Sequence, residues 1–371
     1  MSGTAVSKST KVSFIQAALR KEVLDGAWQE GDKLPGDAEL AKRFECSMGT
    51  VNRAVSLLAH DGLVVRRPRM GTRVLKGSRN GARGKVGLDA FAFIYPSKQH
   101  EGIWRIVKGF QEAAEKSGRR VVMLSTGSDY QQEGECISRL AEFDVKGGVI
   151  YPLITNGQEQ SSFLKVVTDS AFPLVIADMT IPGLNRPSVV VDNFHAGYTM
   201  AKHLLETGAR RIGFFSNNSL TLAVRDRLSG YLWALQEAGL PEVAERIFLE
   251  PSMHPNFVHP LEEPTLLGTQ YLAKAGQIDA VVCANDILAA GLIQAARQTK
   301  IAIPRDLKVV GIDGLSLPLT QSRLPALTTY RVPFESIGRC TFETLDALVT
   351  ESAAVVAETK VRGELLVRDS G

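Results

Sequence analysis

Two groups of residues in this 371-residue chain have the types and spacing to do chemistry. The first lies in "SMGTVNRAVSLLAHDGLVVRRPRMGTRV", residues 47–74. There Val51, Ala54, Val55 and Leu58 repeat with helical period, which turns Met48, Gly49, Thr50, Asn52, Arg53 and Ser56 outward. That outward row carries no carboxylate. Asn and Arg side chains match the paired hydrogen-bonding atoms of adenine and guanine in the major groove, and Thr serves a phosphate or a base. Ser47 is placed to cap this helix and Gly62 to end it. Beyond it, "LVVRRPRMGTRVLK" reads as two short strands turned around Pro68 to Gly71. Arg66, Arg67, Arg69 and Arg73, with Gly71 and Thr72 between them, give a hairpin suited to neutralising phosphates.

The second group follows apolar runs in the remaining chain. Tyr95 ends "AFAFIY", Asp178 follows "LVIA", Asn285 and Asp286 follow "AVVCA", Asp313 follows "VVGI", and Arg225 stands at the helix after "IGFFSN". Carboxylates, an amide and a guanidinium converging on one cleft pair with the donors and acceptors of a hydroxyl-rich ligand. Trp104 can stack on the apolar face of a sugar ring. A capping or turn role stays open for Asp178 and Asp313, and a core or lid contact for Trp104.

These residues need elements to hold them. Before residue 62 three amphipathic helices are expected: one with Val12, Ile15, Leu19 and Val23 on a stripe that stops at Gly26, a short one burying Leu40, Ala41 and Phe44 with Asp37 as its cap, and the helix after Ser47. Helices two and three are separated only by Glu45 to Ser47, as in a helix-turn-helix, and with the basic hairpin the whole is a winged helix-turn-helix. "KGSRNGARGKVG" reads as a flexible basic connector. From Val86 onward apolar strands alternate with amphipathic helices in two successive sets, which implies two doubly wound parallel-sheet lobes. Ligands in such folds sit outside the carboxyl ends of the strands, and a cleft between lobes is the natural place. The expected class is α/β with a small α+β N-terminal domain. Its divisions are residues 1–75 for the reader, 76–87 for the linker and 88–371 for the two-lobed region.

Charge agrees with that division. Residues 1–85 hold 16 Lys/Arg against 8 Asp/Glu, while the rest hold 27 against 32, so a net +3 conceals a basic head on a mildly acidic body. A basic head of this kind fits a polyanion such as double-stranded DNA. The four cysteines show no ligand spacing, so neither a metal nor a cofactor is expected, and they read as free thiols of a reducing compartment. No apolar signal segment and no membrane-length apolar run occurs, giving a cytoplasmic expectation without membrane partners. No Walker loop, dinucleotide fingerprint, H-E-x-x-H or G-x-S-x-G motif is present, which weighs against an enzyme.

The pieces "GDKLPGDAELAKRF", "CSMGTVNRAVSLLAHDGLV" and "RMGTRV" resemble the GntR family of bacterial regulators. The departures are Gly36 where that family often has Ser, and Ala38, Met48 and Asn52 where it often has Arg. The pieces "VVVDNFHAGYTMAKHLLETGARRIGFFS", "RDRLSGY", "AVVCANDILAAGLIQAA", "IAIPRDLKVVGIDG" and "PALTTYRVP" resemble the LacI/GalR effector core, which is similar to periplasmic sugar-binding proteins. Gly314 departs from a second acidic residue often seen there. The resemblances imply a sugar-responsive repressor that binds a pseudo-palindromic operator as a homodimer, with effector contacts at the positions of Asp178, Arg225, Asn285 and Asp313. The alternatives are a regulator whose second region is only a dimer platform, and a sugar-binding or sugar-processing protein.

Overall fold

Ile15, Leu19 and Val23 do form one buried stripe on α1 (Lys8–Leu24), and Gly26, at φ +85°, follows its end. The computed structural model describes residues 8–60, 63–67, 71–75, 89–96, 100–127, 130–152, 154, 157–170, 172–254, 256, 258–316, 325–351 and 355–371. They form two units, one of residues up to 90 with 135–146, the other of residues 91–134 with 147–371. The connector at 76–87 lies outside the described residues, as do Gly62, Pro68 and Arg69.

In the first unit α2 (Asp37–Arg43) and α3 (Met48–His60) follow α1. Val51, Ala54, Val55 and Leu58 of α3 are fully buried against Ile15, Leu19 and Leu40, as their spacing requires. Strands β1 (Val64–Arg67) and β2 (Gly71–Val74) pair antiparallel, Arg66 opposite Thr72. The stretch before α2 extends this hairpin: Leu34 N–H donates to the Thr72 carbonyl at 2.9 Å, and Val74 N–H to the Asp32 carbonyl at 2.9 Å. One expectation changes. Gly36, not Asp37, occupies the N-cap of α2, and Asp37 in the first helical turn is drawn to Arg66 instead.

The chain continues through β3 (Ala90–Tyr95), α4 (Glu101–Lys116), β4 (Arg120–Ser125), α5 (Tyr130–Ser138), β5 (Gly147–Ile150), α6 (Gly157–Asp169), β6 (Leu174–Ala177) and β7 (Ser188–Val191), all of the second unit except Ala90 and the end of α5 from Glu135 on. A second set follows: α7 (Asn193–Glu206), β8 (Ile212–Ser216), α8 (Leu222–Glu237), β9 (Ile247–Leu249), α9 (Glu262–Lys274), β10 (Ala280–Cys283), α10 (Asp286–Gln298), β11 (Lys308–Asp313) and β12 (Thr328–Arg331). The chain then returns with α11 (Phe334–Thr350) and β13 (Glu358–Val361) and ends with β14 (Glu364–Leu366). The first lobe has sheet order β13-β7-β6-β5-β3-β4, the second β14-β12-β11-β10-β8-β9. All pairings given in the second unit are parallel except β12 with β14. Central strands β3, β5, β6, β8 and β10 are buried along their whole length, because helices cover both faces of each sheet.

Helix α8 lies unusually close to α7. A side chain at Gly197 would meet the Arg227 carbonyl at 1.9 Å, and one at Gly230 would meet the Phe194 carbonyl at 2.0 Å. Only glycine permits this approach, and it fixes the rotation of α8 about its axis.

Candidate functional site

The reading face is built by a cap and a core. Ser47 Oγ accepts the Thr50 N–H at 3.2 Å and lies 2.8 Å from Thr50 Oγ1, which fixes the start of α3 as its sequence implied. That same contact turns Thr50 inward, where it is buried, and Ser56 is buried too. The packed side of α3 is therefore wider than the Val51–Leu58 stripe. Met48, Gly49 and Arg53 are exposed and Asn52 is half-buried, so they form the outer row without Thr50.

The hairpin also differs from expectation in detail. Thr72 shares the inner face with Val74, and Gly71 and Arg73 are the outer residues of β2. Arg66 forms an ion pair with Asp37, so its guanidinium ties the hairpin to α2 rather than standing free for phosphate. Arg73 donates to the Gly31 carbonyl at 2.7 Å. Arg67 ends β1, but its side chain, like all of Arg69, lies outside the described residues.

The second site gathers at the carboxyl ends of the parallel strands. Tyr95 closes β3, Tyr151 follows β5, Asp178 follows β6, and Asp313 closes β11. Tyr151 N–H bonds the carbonyl of Ile94 at 2.9 Å, which sets Tyr151 beside Tyr95. Its hydroxyl donates to Asp178 Oδ2 at 3.2 Å. Trp104, 43% exposed, meets Tyr95 in a T-shaped pair with centroids 5.5 Å apart, which places the indole beside the strand ends. From the second lobe Arg227 donates through Nε to Asn193 Oδ1 at 2.8 Å and through Nη1 to the Ala284 carbonyl, and its Nη2 lies 3.6 Å from Asp313 Oδ1.

This arrangement changes one assignment. Arg225, placed at the site by sequence, is exposed on α8, while Arg227 two residues on is the arginine that reaches Asp313. The cause is the rotation of α8 imposed by Gly197 and Gly230, together with the Thr221 cap that accepts the Val224 N–H. Asn285 serves as the cap of α10, its Oδ1 accepting the Leu288 N–H at 2.8 Å. Its neighbour Asp286 is fully buried and accepts from Thr329 Oγ1 at 2.6 Å and Leu315 N–H at 2.8 Å. Tyr151, Asn193 and Arg227 are thus candidate site residues that sequence reasoning did not select, whereas Asp286 stood with Asn285 after "AVVCA".

Charge in the cleft is unbalanced. Among the described residues, three carboxylates, Asp178, Asp286 and Asp313, share the neighbourhood of one guanidinium, Arg227. Burial raises Asp178 to about 6, with Arg227 and the Tyr151 hydroxyl opposing the shift. Burial drives Asp313 well above the ordinary carboxylate range; Arg227 opposes this, whereas Asp286 and Asp178 add to it. Asp178 and Asp313 also hold positive φ, +62° and +136°, a conformation that non-glycine residues seldom adopt and that clusters at ligand sites. Gly314, at φ +74°, is required by its backbone: a side chain there would sit 2.9 Å from Arg331 Cα. Such an arrangement suits a molecule that donates hydroxyls to the carboxylates and accepts from Arg227. Among the described residues no group of His, Cys, Asp or Glu has the arrangement to hold a metal ion, and no helix is long and apolar enough to cross a membrane.

The family model of bacterial regulatory proteins, gntR family, matches residues 11–74, and that of the periplasmic binding protein-like domain matches residues 201–371. The chain is 27% identical over 361 residues to an arabinose metabolism transcriptional repressor of Geobacillus stearothermophilus, covering 95% of this chain and 96% of that one. It is 27% identical to a ribose operon repressor of Haemophilus influenzae over 65% of this chain and 68% of that one. Among solved structures, the transcriptional regulator CelR in its cellobiose complex aligns with TM-score 0.65 at 20% identity, covering 99% of this chain and 100% of that one. The regulator CcpA of Lactococcus lactis aligns with TM-score 0.64 at 21% identity, covering 76% and 98%. At these identities the solved structures establish the fold.

Proposed function

For a chain that joins a GntR-family helix-turn-helix to a periplasmic-binding-protein-like domain, we propose the role of a transcriptional repressor released from its operator by a small sugar or polyol. The observation that carries this reading is the Tyr151–Asp178 and Arg227–Asp313 constellation at the strand ends, held in the same chain as a carboxylate-free reading row. Relatives spanning nearly the whole chain are named as repressors of sugar metabolism, which supports both halves together.

In this reading Asn52 and Arg53 address base edges, and Met48 and Gly49 lie against the groove. Arg67 and Arg69 supply phosphate contacts, and Tyr95, Trp104, Asp178, Arg227 and Asp313 hold the effector. The effector is taken as uncharged: among the described residues Arg227 is the guanidinium beside these carboxylates, Asp313 already lies against it, and a phosphate would face Asp178 as well. The reader occupies residues 1–75, the connector 76–87 and the sensor 88–371. Two copies form a homodimer in the cytoplasm, setting two reading helices about 34–36 Å apart on a pseudo-palindromic duplex. The test is fluorescence anisotropy of the full chain on duplexes recovered from a random pool, near 0.15 M salt, titrated with neutral sugars. Selective binding that a neutral sugar weakens supports the reading. Equal affinity for recovered and scrambled duplexes overturns it.

A further inference from the structure

Met48 is the first residue of α3 and is 58% exposed, a large apolar side chain on a face otherwise made of Gly49, Asn52 and Arg53. Three observations place it. Ser47 caps the helix immediately before it, so the first turn is fixed rather than frayed. Thr50 is turned into the core, which leaves Met48 and Gly49 as the outer residues of that turn. Met48 and Asn52 stand four residues apart, one above the other on the same side of the helix. Gly49 adds room: a side chain there would meet only Ser47 Oγ, at 3.8 Å, so the helix presents a flat shoulder next to Met48.

The N-terminal residues of a reading helix meet base edges in the major groove. A thioether side chain makes no useful hydrogen bond to those edges or to phosphate. The apolar group that B-form DNA offers in this groove is the C5-methyl of thymine. Asn52, one turn further along the same row, is matched to adenine N6 and N7. Building on the proposed DNA-binding role, we propose that Met48 is a specificity-determining residue that packs on a thymine methyl, so that each operator half-site is fixed at an A·T pair under the start of α3. Asn52 then reads adenine in the same or the adjoining pair.

The experiment uses the full chain and duplexes recovered from a random pool. Each thymine of the recovered half-site is replaced in turn by deoxyuridine, which removes only the methyl group. Burial of one methyl corresponds to about a three- to tenfold change in affinity. The expected result is one thymine per half-site whose replacement weakens the wild-type protein by that factor. Met48→Ala should bind the thymine duplex more weakly and be indifferent to the same replacement. Met48→Arg should recover duplexes with guanine at that position. Because Met48 is exposed, neither variant disturbs the core, and unchanged melting temperatures verify this. The inference is overturned if no single thymine is methyl-sensitive, or if Met48→Ala keeps the wild-type sensitivity. Recovery of no preferred duplex by the wild type would instead remove the DNA-binding reading beneath it, and this inference with it.

Discussion

Replacing Asp178 by Asn tests whether the candidate site at the strand ends stores unfavourable charge. The carboxyl accepts the Tyr151 hydroxyl at 3.2 Å, and burial lifts its pKa from 3.8 to about 6. A gap of this size corresponds to roughly 3 kcal/mol, at about 1.36 kcal/mol per unit. Because the folded value is the higher one, the folded chain holds this proton more tightly than the unfolded chain does. The stability contributed is present below about pH 4 and is lost as pH rises through 6. Between pH 5 and pH 8 the loss grows by about 1.4 kcal/mol. Asparagine is neutral throughout and keeps an oxygen for the Tyr151 hydroxyl, so Asp178→Asn escapes this loss. Thermal unfolding of the ligand-free protein at pH 5, 6.5 and 8 reads the difference. The gap between variant and wild type should widen in the variant's favour with pH, by about 2–4 °C across the range. A gap that stays constant, or moves against the variant as pH rises, refutes the charge argument.

Calorimetry with a sugar found to bind the wild type should show no heat with Arg227→Ala and a near-normal isotherm with Arg225→Ala, since only the former touches Asp313. Gly230→Ala pushes a methyl into the Phe194 carbonyl, so melting should show a loss of about 1–3 kcal/mol and the sugar response should weaken. Arg53→Ala should cost ~1–3 kcal/mol on the recovered duplex and little on random DNA, whereas Arg67→Ala should weaken both and reduce the salt slope by about 1. Asp37→Ala frees Arg66 from its ion pair; anisotropy should then show a steeper salt dependence, with weaker discrimination as the hairpin loosens.

The architecture was legible wherever burial imposes a period. Val51, Ala54, Val55 and Leu58 declared the packed side of α3, and apolar runs such as "LVIA" and "VVGI" announced strands covered on both faces. Asp178 and Asp313 followed from those runs, because a polar residue ending a buried parallel strand has the cleft as its outlet. Thr72 carries a readable signal of its inward position: it lies two residues from Val74, and alternation sends both to the same side. Arg227 had a weaker one. Helix α8 buries Val224, Gly230, Tyr231, Ala234 and Leu235, a set too mixed in size to show a clear stripe, so its rotation depends on contacts that Gly230 makes with α7. Tyr151 was hidden for a different reason. Its ring reads as a continuation of "GGVI", and only the sheet places its hydroxyl against Asp178.

How a ligand held between the lobes would move them follows from where the structure is stiff. In the first lobe α4 and α11 are locked by Gly109 against the Glu335 carbonyl and Gly338 against the Ile106 carbonyl, each within about 2.0 Å of a would-be side chain. The second lobe locks α7 to α8 in the same way through Gly197 and Gly230. Helices packed backbone to backbone resist sliding, so relative motion falls to the three crossings between sheets: β7 to α7, β12 to α11, and β13 to β14. There Asp192 accepts from Arg362 at 2.8 Å, and the Tyr330 hydroxyl accepts the Gly363 N–H at 2.7 Å and lies 2.9 Å from His195 Nδ1. Two residues on from Tyr330, Val332 N–H donates to the Asp313 carbonyl at 3.1 Å, which ties the end of β12 to the candidate site. Asp178 belongs to the lobe on one side of these crossings, and Asp313 with Arg227 to the lobe on the other. A ligand that bonds both sides therefore draws the lobes together about the crossings, and its differential affinity for the closed form sets how far the equilibrium shifts.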